Sequence, residues 1–402
     1  MDQPDISNLI TVQQAISIVD SAAIQSRCVR VGMEEALWLY LAGDLASDRD
    51  APPFDKSLMD GFAVRADDLT EIPRELAIVE TIAAGGAAQA VLRTGQAMGI
   101  MTGAPLPPGA DTIVPVEATE MSPDSRRVRI LESIAVGRNI ARRGCDVKSG
   151  AVVLKAGMCI GPAQIAVAAS IGAVKLPVFA PASVGVLGTG DELVRPDQSP
   201  GESQIRSCNN AMLMALLRRF PCLAMDLGIV WDDPAAIEEK IKQGLSHDVL
   251  LITGGMSMGE RDFVPGILRK LGGELKITKL RIKPGKPFVF AEMPGGKFVF
   301  GLPGNPVSAF VCTFRLVSRL LMRMAGGPAE QRLAVAPLAL PLDVNGPREF
   351  YQPAIFDGRE LHPLKWIGSA DVFTLGRANS LMIRPENQPA LPAGSAMEFL
   401  EI

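Results

Sequence analysis

Between Ala182 and about Gly327, strand-like and helix-like segments follow one another in strict turn. The apolar runs 184–187, 227–230 and 249–252 read as strands. Residues 211–217 and 263–271 read as helices, Asp233-Pro234 opens another, and Gly272 and Gly273 close the segment before them. This alternation predicts a parallel sheet with helices on both faces, because parallel neighbours need a crossover and helices supply it. Such sheets bind ligands outside the carboxyl ends of their strands. The residues just after each strand are therefore where chemistry is expected.

The run 249–252 ends in Gly254 and Gly255, and Ser257 and Gly259 prolong the loop up to Asp262, just before a helix. Backbone N–H groups and a helix start above a strand suit a phosphate or another oxyanion; a bare connection is also open here. The neighbouring corners bring Asp191 and Glu192 after 184–187, and Asp232 and Asp233 after 227–230. Hard oxygen ligands on one edge are what Mg²⁺ needs beside a phosphate. Asp233, before Pro234, reads as a helix N-cap, and Asp191 has a similar local reading. Glu192 and Asp262 have no evident capping duty. In 277–286 the charge inverts: if the segment is one strand, Lys279, Arg281 and Lys283 share a face. Pro284-Gly285 then turns the chain and adds Lys286. A solvated strand face and an anion clamp both remain open. Pro303-Gly304-Asn305-Pro306 is a rigid turn at the start of a helix over about 307–321.

A chain of 402 residues is too long for one ordinary core, and roughly two to four domains are expected. An apolar fraction of 48% fills such cores, and a net charge of −4 excludes a general binder of nucleic acid or anionic membranes, so any anion site is local. The acidic start, MDQPDISN, lacks the apolar region of a secretory signal, and no apolar run is long enough for a membrane span. The cytoplasm is the expected location. Six scattered cysteines with two histidines offer no zinc set and read as reduced packing thiols. Thr11 and Gln14 form a capping box ahead of a first helix, and 33–45 reads as a second helix. Residues 51–143 read as a compact β domain, 152–172 as strand and helix, and 333–402 as a small β domain. Asp60 and Thr102 sit in turns where each has a local capping role open to it. Arg142, Arg143 and Asp146 surround Gly144 in what reads equally as an exposed turn.

The motifs SLMDGFAV, MTGAPLPPGADTIVPVE, TGDEL, TGGMSMGERD, KPGKP and GLPGNPVS, in this order, resemble the molybdopterin molybdenumtransferases, the MoeA family, over about residues 10–400. The resemblance implies a multidomain α/β and β chain that forms an elongated homodimer. A doubly wound, mainly parallel molybdopterin-binding domain would occupy 181–327. A β domain at 48–145 would be inserted into a discontinuous N-terminal α/β domain of 1–47 plus 146–180, and 328–402 would form a β barrel. The implied reaction inserts molybdate, a substrate, into adenylylated molybdopterin, with Mg²⁺-dependent cleavage of the pyrophosphate link and release of AMP. By resemblance, Glu192, Asp232 and Asp262 are the acidic rim, with Glu192 and Asp262 on the metal. Asp60, Thr102 and Asp146 reach the same cleft from the other subunit. Lys283 and Lys286 are the lysine pair, Arg348 and Ser369 line the molybdate site, and Gly254, Gly255, Ser257, Pro303 and Asn305 contact substrate.

The sequence also departs from the family. Cys145 stands where Glu is usual, Trp38-Leu39 where Gly-Arg is usual, Gln352 where a second arginine is expected, and Ala370 where histidine often follows the serine. Cys145 and Gln352 bear on affinity and anion choice more than on fold. Two further readings stand beside transfer of molybdenum. One is adenylyl transfer to molybdopterin, the activity of the enzyme that 181–327 alone resembles. The other is a noncatalytic cofactor-binding scaffold, the role that the related domain of gephyrin has in receptor clustering. The implied partners are the adenylyltransferase and cofactor-dependent apoenzymes, with no nucleic acid and no membrane.

Overall fold

The computed structural model describes residues 9–256 and 263–402. They form two compact units. The first holds the N-terminal stretch to Ala42, Gly157–Gly161 and Leu176–Ile402; the second holds Gly43–Ala156 and Pro162–Lys175.

In the first unit a six-stranded sheet runs in the order Cys222–Val230, Ala182–Thr189, Val249–Thr253, Lys297–Leu302, Val289–Met293, Glu274–Ile277. The first four strands are parallel, and Val289–Met293 runs antiparallel to both its neighbours. The expected parallel sheet is thus mixed along one side, where Pro294-Gly295-Gly296 makes a hairpin in place of a crossover. Every residue of Val249–Thr253 is buried. Val249 and Leu251 join a core with the helices Val12–Ser21 and Asn209–Leu217, while Leu250 and Ile252 join one with Pro234–Gly244 and Phe263–Lys270. A strand covered on both faces reads as an unbroken apolar run for this reason. Each such side chain contributes about 1.5–3 kcal/mol on burial, which fixes the strand up to the two glycines that end it.

The first helix carries the expected capping box: Thr11 Oγ1 accepts from the Gln14 N–H at 3.1 Å, and Gln14 Oε1 accepts from the Thr11 N–H at 2.8 Å. Its Asp20 accepts from buried Arg319 Nε at 3.0 Å. Arg319 lies on the long helical run of Pro306–Cys312, Thr313–Val317 and Ser318–Met324, whose middle piece is a π turn.

The last part of this unit is a second sheet, in the order Ile282–Lys283, Glu349–Phe356, Ser380–Arg384, Ala396–Glu401, Ala334–Pro337. Leu361–Pro363 also pairs with Glu349–Phe356. A parallel bridge from Leu338 to Leu361 brings the far edge back to that strand. The ring closes around Leu338, Leu361, Met382, Met397 and Phe399, giving the β barrel expected at the C-terminal end.

The second unit is built on a six-stranded sheet in the order Thr112–Pro115, Gly61–Val64, Gln96–Ile100, Arg74–Ile82, Arg127–Ile130, Thr119–Met121, the β domain read from the sequence. The helix Pro162–Ser170 packs on Val152–Leu154, and Gly172 follows it with φ +72°.

One expected helix does not form. Residues 33–45 are not a helix: 33–38 is a chain of turns, and Leu45–Ala46 is a short strand paired with Val152–Leu154. The intervening N–H groups bond to distant carbonyls, Trp38 to Ile160 at 2.7 Å, Leu41 to Met158 at 2.9 Å and Ala42 to Pro177 at 2.9 Å. Trp38 also takes φ +65°, outside helical geometry. Long-range pairing here overrides the helical spacing of the side chains. Among the described residues, no helix is long and apolar enough to cross a membrane.

Candidate functional site

At the carboxyl end of Val249–Thr253 the chain turns through Gly254 and Gly255, with φ +90° and +62°. A Cβ on Gly254 would lie 2.3 Å from the Thr189 carbonyl oxygen, so the loop presses backbone to backbone against the neighbouring strand end. The Gly254 N–H donates to Leu302 O at 3.2 Å, and Gly304 packs against it on the far side. The Oγ1 atoms of Thr189 and Thr253 and the Oδ1 of Asn210 are buried at this rim without a hydrogen-bond partner among the described residues. A cavity of about 540 Å³ opens beside them, lined in part by Ser207, Asn210, Asp226 and Trp231. It is large enough for a heterocyclic ring system. Ser257 and Asp262 lie outside the described residues.

The acidic corners divide by task. Asp233 caps the helix Pro234–Gly244 by accepting from Ala236 N–H at 2.7 Å, as expected. Asp191 Oδ1 accepts from the Asp232 N–H at 3.0 Å and ties two strand ends together. Glu192 is exposed and its carboxylate lies over Gly190 at the rim. Among the described residues, no three His, Cys, Asp or Glu side chains gather as a metal-ligand set. Mg²⁺ is commonly held by one or two carboxylates together with phosphates and water, and the exposed Glu192 is of the right kind for that mode.

The segment 277–286 is not one strand. The Glu274–Ile277 strand ends, Leu280 makes a single bridge to Ile10, and Ile282–Lys283 then pairs with Glu349–Phe356 of the barrel. The supposed common face of Lys279, Arg281 and Lys283 therefore breaks up: Lys279 lies half-buried in the stretch between the two strands, and Arg281 pairs with Glu386 at 3.2 Å. Lys283 remains. Its Nζ lies over the Phe350 ring at 4.3 Å, an attractive cation–π placement. Burial, then Arg348, then Arg384 push its pKa below the ordinary lysine value. Pro284-Gly285 turns against the long helical run, where Gly285 faces Cys312, and Lys286 follows half-buried.

The barrel strand opposite Lys283 supplies the rest. Arg348 is half-buried, and its Nη1 reaches Ile282 O at 3.4 Å. Asn345, buried, donates to the carbonyls of Arg348, Arg384 and Pro385 at 3.0, 3.2 and 2.7 Å, which fastens two arginine-bearing segments together. Pro303 is buried at the end of Lys297–Leu302. Asn305 starts the helix without capping it; its Nδ2 donates instead to Ser369 Oγ at 2.8 Å, and the Val307 N–H donates to Ser369 O at 3.1 Å. The structure thus brings Lys283 and Arg348 together, and pairs Asn305 with Ser369. Arg384 was unread in the sequence. It follows an apolar run in a strand, and only the strand register places it beside Phe350.

In the second unit Asp60 and Thr102 bond to each other: Asp60 Oδ1 accepts from Thr102 N–H at 2.6 Å and from its hydroxyl at 2.8 Å. These bonds, backbone first, hold the Asp60 carboxyl below its ordinary pKa. The Asp146 N–H donates to Ala51 O at 3.0 Å, and its Oδ1 accepts from the Cys145 thiol at 3.4 Å. Burial and then Asp146 raise the Cys145 pKa. Arg142 and Arg143 pair with Asp55 and Asp50 at 2.6 and 2.7 Å, a structural role.

Residues 10–172 match the family described as MoeA N-terminal region (domain I and II), and residues 185–323 the one described as probable molybdopterin binding domain. A molybdopterin molybdenumtransferase of Haemophilus influenzae is 35% identical over 79% of this chain and 78% of its own length. Molybdopterin molybdenumtransferase 2 of Mycobacterium tuberculosis is 33% identical over 98% and 99%. A solved structure of the molybdopterin biosynthesis MoeA protein from Pyrococcus horikoshii superposes with a TM-score of 0.83 at 28% identity, covering 98% of this chain and 100% of that one. With these matches spanning the rim, the lysine turn and the barrel alike, the chain belongs to the MoeA family of molybdopterin molybdenumtransferases.

Proposed function

We propose that this enzyme of molybdenum cofactor biosynthesis inserts molybdate into adenylylated molybdopterin, with Mg²⁺-dependent cleavage of the pyrophosphate link and release of AMP. The observation that carries the reading is the pairing of Lys283 with Arg348 at the barrel edge, where neither forms an ion pair with a carboxylate among the described residues. Half-buried cations without a counter-charge are costly, and a dianion such as molybdate offsets that cost. Lys283, Lys286 and Arg348 hold and align it, with Ser369 fixed beside them by Asn305. Gly254, Gly255 and Ser257 receive the pyrophosphate, and the cavity by Asn210 receives a ring of the substrate. Glu192 and Asp262 are assigned to Mg²⁺, which when bound withdraws charge from the anhydride oxygens. Asp232 orders the rim. Asp60, Thr102 and Asp146 act on the site of the other subunit in a homodimer.

The test is AMP release from adenylylated molybdopterin by the purified protein with Mg²⁺, with and without low molybdate. Molybdate-dependent release that yields active cofactor supports the reading. Activity with ATP and free molybdopterin would indicate adenylyl transfer, and tight binding without release a scaffold. Asp262→Ala is expected to abolish turnover with an unchanged circular dichroism spectrum; wild-type rates in that variant would remove the metal assignment.

A further inference from the structure

We propose that Arg384 is a third cation of the oxyanion site, supplying from a neighbouring strand the guanidinium that Gln352 does not. The inference rests on the reading of this region as a molybdate site. Three adjacent strands set the geometry. Lys283 stands opposite Phe350, and Phe350 opposite Arg384. Residues directly opposite one another project from the same face of a sheet, so the lysine and the arginine flank one ring from two sides. Their positions agree with this: Lys283 Nζ lies 4.3 Å and Arg384 Cζ 5.8 Å from the Phe350 centroid. Trp366 stacks on the same ring at 5.4 Å, which keeps the aromatic floor in place.

The contacts of Arg384 fix its plane without neutralising it. Its Nε donates to Gln388 Oε1 at 3.2 Å, Nη1 to Gln352 Oε1 at 3.2 Å, and Nη2 to the carbonyl of Asp343. All three acceptors are neutral. Arg384 is only 7% exposed, and among the described residues it forms no ion pair; the exposed Asp343 carboxylate offsets its charge only from a distance. Gln352 in turn donates to Leu364 O at 3.2 Å, so its amide is oriented to receive the guanidinium. A buried, oriented charge without an ion-pair partner, beside Lys283, is costly to fold. A bound dianion removes that cost. The position that is glutamine in this chain thus serves as the second-layer holder of an arginine delivered from elsewhere in the barrel.

Calorimetric titration of molybdate into the full-length protein tests this, with sulfate as a second probe. Arg384→Gln, which keeps amide donors and removes the charge, is expected to weaken molybdate binding on the order of 10- to 100-fold, the range for a lost charge-assisted hydrogen bond. Arg384→Lys should retain most of the affinity. Adding Gln352→Arg to Arg384→Gln should restore binding, a rescue that a merely structural clasp between Asp343 and Gln388 would not show. Wild-type affinity in a folded Arg384→Gln protein would overturn the proposal. If that variant does not fold, wild-type affinity lost in a folded Arg384→Lys and not restored by Gln352→Arg would overturn it as well. A wild-type protein that binds sulfate but not molybdate, with binding still dependent on Arg384, would keep the anion site and defeat the molybdate reading instead.

Discussion

Asp60 shows how one residue can have both a structural and a chemical claim. Its carboxylate accepts two hydrogen bonds from Thr102, and these favour the ionised form. A lowered pKa in the folded state means the contribution is present above the ordinary value of 3.8 and is lost as pH falls through the lowered one. Thr102→Val removes the hydroxyl donor and leaves the N–H. The Asp60 titration, followed by carboxyl-carbon NMR, is then expected to move up toward 3.8 without reaching it. An unmoved titration would mean that the hydroxyl bond does not form. At this scale legibility was uneven. The partnership of Asp60 with Thr102 was not seen, because residues 42 positions apart declare no contact in sequence and each had a local role open to it. Arg384 was hidden for the same reason. Its chemistry depends on the register of three strands, and nothing beside it in the chain marks it.

Whole elements were easier to read where burial alone decides them. Val249–Thr253, apolar throughout and ended by two glycines, was plain, and so was the corner after it. Gly254 is needed there twice over, for φ +90° and for the 2.3 Å that a Cβ would leave to Thr189 O. Gly254→Ala is therefore expected to destabilise the protein by about 2 kcal/mol or more, read as a lowered thermal midpoint. A midpoint unchanged from wild type would show that the corner can open. Residues 33–45 failed as a helix because periodicity reports side chains and says nothing of which carbonyls the backbone will find. Those of Met158, Ile160 and Pro177 were out of its view. The segment 277–286 failed in the opposite direction. Its alternation looked like one strand, yet it leaves one sheet at Ile277 and enters another at Ile282.

For the whole molecule, the proposed exchange of Asp60 between subunits has a direct consequence. Asp60→Ala and Lys283→Ala chains, each inactive alone, are mixed, unfolded and refolded together. If the two residues serve one site across a two-fold dimer, random pairing restores about a quarter of wild-type activity. No recovery in a mixture shown to contain hybrid dimers would place both residues in the service of one chain.

The short strand Ile282–Lys283 lies in sequence between two strands of the α/β sheet and pairs with neither, but with the barrel. The lysine turn is thus held in common by two folds. A displacement of the barrel strand Glu349–Phe356 would carry Lys283 with it. The stiffness of that shared seam, and not of either sheet alone, is what would hold the proposed oxyanion site in register.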